Sequence, residues 1–271
     1  MGLMSVPELA SVVAARLMEV PGVLGVALGG SHVTGTAVAG SDIDLCLAYD
    51  ARRPFDLDAL NALCRKLDDS GQAQACPPGG WGPWVDGGAW LTVEGQQVDV
   101  IYREMGRVAR SVQDACAGRV ELFTQTGHPH GIHAHHYAAE LASCWLLADP
   151  QGELERLQAQ IQPYPEALAQ ALEAHYSWQP GFWLDATDKG LRRGDRHYAQ
   201  GCAYQAVMAC VQVLCARHRV WLLNEKGALL RAGALPRVSG DFIRRVRLGL
   251  EAGETSTLRR LIDEALSGAP G

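Results

Sequence analysis

Apolar positions along the first hundred residues change period several times, and each change marks an element. Ser5, Pro7 and Glu8 form an S-x-x-E start, and Leu9, Val12, Val13, Leu17 and Met18 follow at helical spacing. A first helix is therefore predicted, ending near Pro21. Val23 to Leu28 is a short apolar run that stops at Gly29 and Gly30, the pattern of a buried strand delivered into a glycine turn. A second run, Ile43 to Tyr49, is interrupted by Asp44 and closed by Asp50, and it too reads as a strand. Asp56 to Leu67 returns to helical periodicity, and Cys76 to Pro83 is a loop rich in Pro and Gly. Val85 to Val93 and Gln96 to Tyr102 flank the turn residues Glu94 and Gly95 as a hairpin.

Beyond Arg103 the texture changes: strand-like runs vanish and Ala-, Leu- and Gln-rich helical segments take over. Helices are predicted over 153–160, 165–175, 182–192, 195–218, 240–250 and 256–266. The segment from Asp195 is the longest. Tyr198, Cys202, Ala206, Val213 and Leu214 would line its buried stripe, as expected of the central helix of a bundle. The expected organisation is a mixed α/β (α+β) unit over 1–105 followed by an all-α helical-bundle domain over 106–271.

Composition narrows the class. A chain of 271 residues accommodates roughly two domains, and 48% hydrophobic against 20% charged residues excludes wholesale disorder. The formal charge of -6 disfavours a dedicated binder of long nucleic acid. No uninterrupted apolar stretch reads as long enough to cross a bilayer, and no basic residue precedes Arg16, the wrong order for a secretory signal. A cytoplasmic location is expected. The eight cysteines include no C-x-x-C pair and several sit among apolar neighbours, so neither a disulfide framework nor a structural zinc is expected.

Chemistry concentrates in GGSHVTGTAVAGSDIDL, from Gly29 to Leu45. Alternate residues of a strand share a face, with Cα atoms about 7 Å apart, so Asp42 and Asp44 project their carboxylates together. Two like charges on one face repel unless a cation sits between them, and paired carboxylates suit a hard ion such as Mg²⁺. Gly29 and Gly30 permit close backbone approach, while Ser31 is placed to cap a following helix whose free N–H groups face a phosphate. A third acid, Asp99, lies within the apolar run Gln97 to Ile101, where it faces either a metal site or the solvent side of an edge strand.

The Gly29-Gly30-Ser31 turn, ten intervening residues, Asp42-Ile43-Asp44 and the later Asp99 resemble the DNA polymerase β-type nucleotidyltransferase superfamily. Within it, a short catalytic unit followed by a helical half is similar to the aminoglycoside, kanamycin and lincosamide nucleotidyltransferases. GHPHG from Gly127, LADP from Leu147, RGD from Arg193 and WLLNEKGAL from Trp221 extend the resemblance more loosely. It implies a small twisted mixed sheet flanked by helices, with Asp42 and Asp44 holding two Mg²⁺ ions. Asp99 would bind the metal nearer the attacking hydroxyl and help take up its proton. Gly29, Gly30, Ser31 and Ser41 would hold the triphosphate of ATP or another NTP. His32 and Thr34 depart from the small or basic residues more usual after the serine.

Other features carry weaker chemistry. His128, His130, His133, His135 and His136 crowd one segment, which reads as a polar loop more readily than as a transition-metal site. Lys226 is a candidate phosphate contact, against a solvated helix-end lysine. Glu140 is a candidate extra base, against an exposed helix residue. Tyr176, Trp178 and Trp183 line an acceptor cleft or pack in a core. The expected reaction moves an NMP, AMP first, to a hydroxyl of a small molecule such as an antibiotic. Protein or tRNA nucleotidylation, as in toxin–antitoxin systems, and an inactive nucleotide-binding module are the alternatives. A homodimer is left open.

Overall fold

The computed structural model describes residues 5–253 and 255–268. In chain order its elements begin α1 (Val6–Leu17), β1 (Val23–Leu28), α2 (Gly30–Thr34), β2 (Ile43–Tyr49), α3 (Leu57–Leu67), β3 (Gly88–Val93) and β4 (Gln96–Glu104). They continue with α4 (Met105–Cys116), β5 (Leu122–Gln125), β6 (His128–His133), α5 (His136–Ser143) and β7 (Trp145–Ala148). The remainder is helical: α6 (Glu153–Gln160), α7 (Glu166–Tyr176), α8 (Gln179–Arg192), α9 (Arg196–Arg217), α10 (Ala228–Gly233), α11 (Phe242–Ala252) and α12 (Thr255–Ser267). The protein is thus a mixed α+β fold followed by helices.

By compactness the chain divides into 1–113 with 137–162, and 114–136 with 163–271. This differs from a single cut after residue 105. Helix α4 stays with the sheet as far as residue 113, its Met105, Val108 and Val112 buried at helical spacing. Residues 137–162 return to the sheet because β7 pairs antiparallel with β1.

The first unit is built on one mixed sheet of order β3-β4-β2-β1-β7, in which β2 and β4 run parallel and the other neighbours antiparallel. One face carries Val26, Leu28, Ile43, Leu45, Leu47, Val98, Val100 and Tyr102. These join Leu9, Val13 and Leu17 of α1 and Leu60, Leu63 and Cys64 of α3 in a continuous core. The local signals match that packing. Ser5 and Glu8 close a capping box on α1, and the Asp56 carboxylate accepts the Ala59 N–H at the start of α3. Glu94 and Gly95 both take positive φ, as a two-residue hairpin turn requires.

The opposite face explains the site. In β2 burial alternates from Ile43 to Cys46 and then becomes continuous through Leu47, Ala48 and Tyr49. In β4 it alternates from Val98 to Ile101 and becomes continuous at Tyr102 and Arg103. The second face is thus covered at the Ala48 and Arg103 end, where side chains of α5 pack, and accessible at the other, where Asp44 and Asp99 lie. The covered end holds the ion pair of Arg103 with Glu140, the Arg103 guanidinium 5.1 Å from the centre of the Tyr137 ring. Its Nη2 donates to Glu140 Oε1 at 2.6 Å and its Nη1 to the Tyr102 carbonyl at 2.8 Å. A small cavity of about 20 Å³, room for one water, lies there among Ala27, Cys46, Ala48, Arg103, Glu140 and Cys144.

In the second unit α9 is buried almost all round from Cys202 to Ala216 and packs against α7, α8, α10, α11 and α12. Its expected stripe begins at Cys202, since Tyr198 is exposed. It is long and apolar enough to cross a bilayer by composition, unlike the expectation for the chain; 78% of its apolar window is buried, and that packing accounts for its character. The eight cysteines are free thiols.

The second half is not purely helical. The hairpin β5–β6 and the strand β7 occupy a region expected to hold none, because Leu122–Gln125 and His128–His133 lack an alternating apolar pattern. The histidines likewise form no solvent loop: His130, His133, His135 and His136 are buried in the second unit. His130 Nδ1 pairs with Gln205 Oε1 at 3.0 Å, His133 Nε2 with the Tyr176 hydroxyl at 2.6 Å, and His136 Nδ1 with the Leu223 carbonyl at 3.0 Å.

Burial holds His133 well below the ordinary imidazole range and pushes His135 down to about 3, with the neighbouring His136 charge adding to the latter. Between 6.5 and about 3 the unfolded chain therefore binds protons that the folded unit refuses. Stability is fully present above 6.5 and declines as pH falls through that window. Thermal melts should show Tm dropping by roughly 10 °C or more between pH 7.5 and 4.5, and His135→Leu should flatten the dependence. An equal slope in the variant would contradict this origin.

Candidate active site

Asp44 and Asp99 are direct partners in the parallel β2–β4 ladder and so stand side by side on the accessible face. Asp42 lies just before β2, two residues from Asp44, and is exposed. All three acids are felt at one point. Burial, then the charges of Asp42 and Asp44, push the Asp99 carboxyl up to about 6, opposed by a hydrogen bond from the Trp90 side chain. Asp99 is therefore partly buried on a central strand and not on a solvent-facing edge.

The glycine turn closes down on these acids. The Gly29 N–H donates to the Asp44 carbonyl at 2.8 Å, and Gly30 has φ +67°. A Cβ on Gly30 would overlap Asp44 Oδ2, so only glycine satisfies both the backbone and the approach. Gly30→Ala should displace the Asp44 carboxylate and cut any activity that depends on it by at least about tenfold, while the strained turn lowers Tm by only a few degrees. Activity equal to wild type in that variant would show that the approach is dispensable.

Ser31 does not cap a helix. Gly29 occupies the cap of the short α2, no side chain completes it, and Ser31 lies within the first turn, partly exposed. His32 and Thr34, the departures from the resemblance, both have local partners. His32 Nε2 pairs with the Ser41 carbonyl at 3.2 Å, and the Thr34 hydroxyl donates to the Gly30 carbonyl at 3.2 Å. His32 thereby ties the turn to the residue preceding Asp42. Ser41 Oγ accepts the Val38 N–H at 2.9 Å, which leaves its proton for donation.

Two further candidates lie apart from this constellation in role. Lys226 is an exposed residue of the second unit, its N–H donating to Asn224 Oδ1 at 2.9 Å. Glu140 is neither exposed nor free to act as a base, since it is committed to Arg103. Burial works against the Arg103 charge and the Glu140 carboxylate more than offsets it, so the guanidinium stays protonated. Trp90, the register partner of Asp99 on β3, went unsignalled in the sequence. Of the three aromatics expected at a cleft or core, Tyr176 is buried in the second unit and Trp178 is 61% exposed.

The carboxylates form a face and not a closed cage: among the described residues no group of three or more His, Cys, Asp or Glu is gathered to hold an ion. The donor set is nonetheless all carboxylate oxygen, and the crowding of negative charge at Asp99 is the condition a divalent cation relieves.

Residues 12–74 match the model of the nucleotidyltransferase domain family. The matched span contains the glycine turn, Asp42 and Asp44 and ends before Asp99. The match supports a transferase, built here on a five-stranded mixed sheet with helices. No curated protein matches the chain. Among solved structures it is similar to a nucleotidyltransferase-like protein from Exiguobacterium sibiricum 255-15, at 10% identity and a TM-score of 0.43. The likeness covers 97% of this chain and 76% of that one, and is too loose to carry an argument.

Proposed function

We propose that this protein transfers a nucleoside monophosphate, AMP from ATP in the first instance, to a hydroxyl of a small molecule and releases pyrophosphate. The observation that carries the reading is the pairing of Asp44 with Asp99 on the accessible face, with the Gly30 turn pressed against Asp44. Asp42 and Asp44 would hold two Mg²⁺ ions, with Asp99 joining the one nearer the acceptor. Such ions supply charge neutralisation on the phosphates and acidify the attacking hydroxyl.

The chain's own residues do the rest. The Gly29–Gly30 backbone, Ser31 and Ser41 hold the β and γ phosphates. The acceptor oxygen bonds to the α-phosphorus while the bond to the bridging α–β oxygen breaks. Asp99 takes the hydroxyl proton on a carboxylate oxygen. The resemblance to antibiotic nucleotidyltransferases makes an aminoglycoside or lincosamide a reasonable first acceptor to try.

Incubation with Mg²⁺, α-labelled nucleoside triphosphates and a panel of metabolites and antibiotics tests the reading. Label should appear on a small hydroxyl compound with stoichiometric pyrophosphate. Label on protein or tRNA alone would move the reaction to a macromolecular acceptor, and no metal-dependent pyrophosphate release with any triphosphate would overturn it.

A further inference from the structure

Trp90 is 61% exposed although it sits on a strand whose alternate residues are buried. It is the direct ladder partner of Asp99, so its indole shares the accessible face with both paired acids. Trp81 lies against it in a stack, ring centres 4.5 Å apart and planes within 17°. Gly88 makes room for that stack: a Cβ there would come within 3.0 Å of the Trp81 ring and collide with the Val100 carbonyl. A large aromatic face is thus supported from one side and left open beside an acid.

The strand order says what that face meets. The turn that would hold the departing phosphates follows β1, and β1 is separated from β3 by β2 and β4. In phosphoryl transfer the attacking and leaving oxygens stand roughly in line through phosphorus. With pyrophosphate leaving toward β1 from a phosphorus over Asp44 and Asp99, the hydroxyl must arrive from the β3 side. We propose that Trp90, seated on Trp81, is the floor of an acceptor subsite that takes a hydroxyl carried on a flat-faced ring. A ring lying on the indole is one strand spacing, about 5 Å, from Asp99, so a hydroxyl on its rim reaches that carboxylate. The inference rests on the transfer reading for its direction of attack, while the aromatic platform itself does not.

Fluorine NMR of the full chain labelled with 5-fluorotryptophan tests it, with the Trp81 and Trp90 signals picked out of seven by Trp81→Phe and Trp90→Phe. The protein is first saturated with Mg²⁺ and α,β-methylene ATP, then titrated with methyl glucoside, 4-hydroxybenzyl alcohol or glycerol. The Trp90 signal should shift saturably with a ring probe and not with ringless glycerol. In Trp90→Ala the Kd read at Trp81 should rise about tenfold, the loss of one stacking contact. The sugar and aromatic arms distinguish which ring is preferred. Loss of the ring-probe shift when the nucleotide analogue is bound, with the shift present in its absence, would make the platform a nucleobase site and overturn the proposal, as would silence to both rings. Since the signal needs no turnover, its failure leaves pyrophosphate release untouched, and failure of transfer leaves the signal readable.

Discussion

Asp44→Asn or Asp99→Asn should each lower the rate of NMP transfer by about a thousandfold or more, the scale on which electrostatic groups at a reacting centre act. The substitution is nearly isosteric and removes one charge from a face where carboxylates already repel. Asp99 is raised by burial and by its neighbours' charges, so neutralising either member of the pair removes a folding cost. Tm should stay level or rise by a few degrees in both variants. Circular dichroism and a melt beside the transfer assay separate the two effects. A fall in Tm matching the loss of activity would mean the acids are structural.

Glu140→Ala should damage the first unit severely, costing about 3–5 kcal/mol by leaving the Arg103 guanidinium buried and unpaired. Arg103 is 7% exposed, and its remaining partners are the Tyr102 carbonyl and the Tyr137 ring. Those satisfy a donor and a ring face but supply no counter-charge. The paired replacement Arg103→Met with Glu140→Leu should recover most of the loss, since both charges leave together. Denaturant unfolding of wild type, the single variant and the pair provides the comparison. A single variant within about 1 kcal/mol of wild type would show that the ion pair contributes little.

What the chain announces in advance is what adjacent residues settle. The capping box at Ser5 and Glu8 and the Glu94-Gly95 hairpin turn depend on neighbours a few positions apart, and each appears as the sequence implies. The D-x-D is legible only in part: its spacing puts both acids on one strand, but β2 begins at Ile43 and holds Asp44 alone, with Asp42 just ahead of it. The pairing of Asp44 with Asp99 is different. It needs a parallel register between residues 55 positions apart, and only an acid inside an apolar run hinted at it.

The features that were not legible are non-local or chemically ambiguous. Arg103 and Glu140 meet 37 positions apart, and nothing near Glu140 announces a buried cation. The return of β7 to β1 is invisible because W-L-L-A suits a helix as well as a strand. Ser31 looked like a cap, yet Gly29 takes that place because Gly30 must adopt positive φ against Asp44. The histidines read as polar when His130, His133 and His136 are buried with specific partners, which composition does not reveal.

The direct measurement is a double-mutant cycle on metal-dependent pyrophosphate release, using wild type, Asp44→Asn, Asp99→Asn and the two together. If the acids act as one unit, the double variant should be no slower than the worse single variant, because either change already dismantles the centre. Losses that multiply across the cycle, or release that persists undiminished in all four proteins, would contradict a shared site at Asp44 and Asp99.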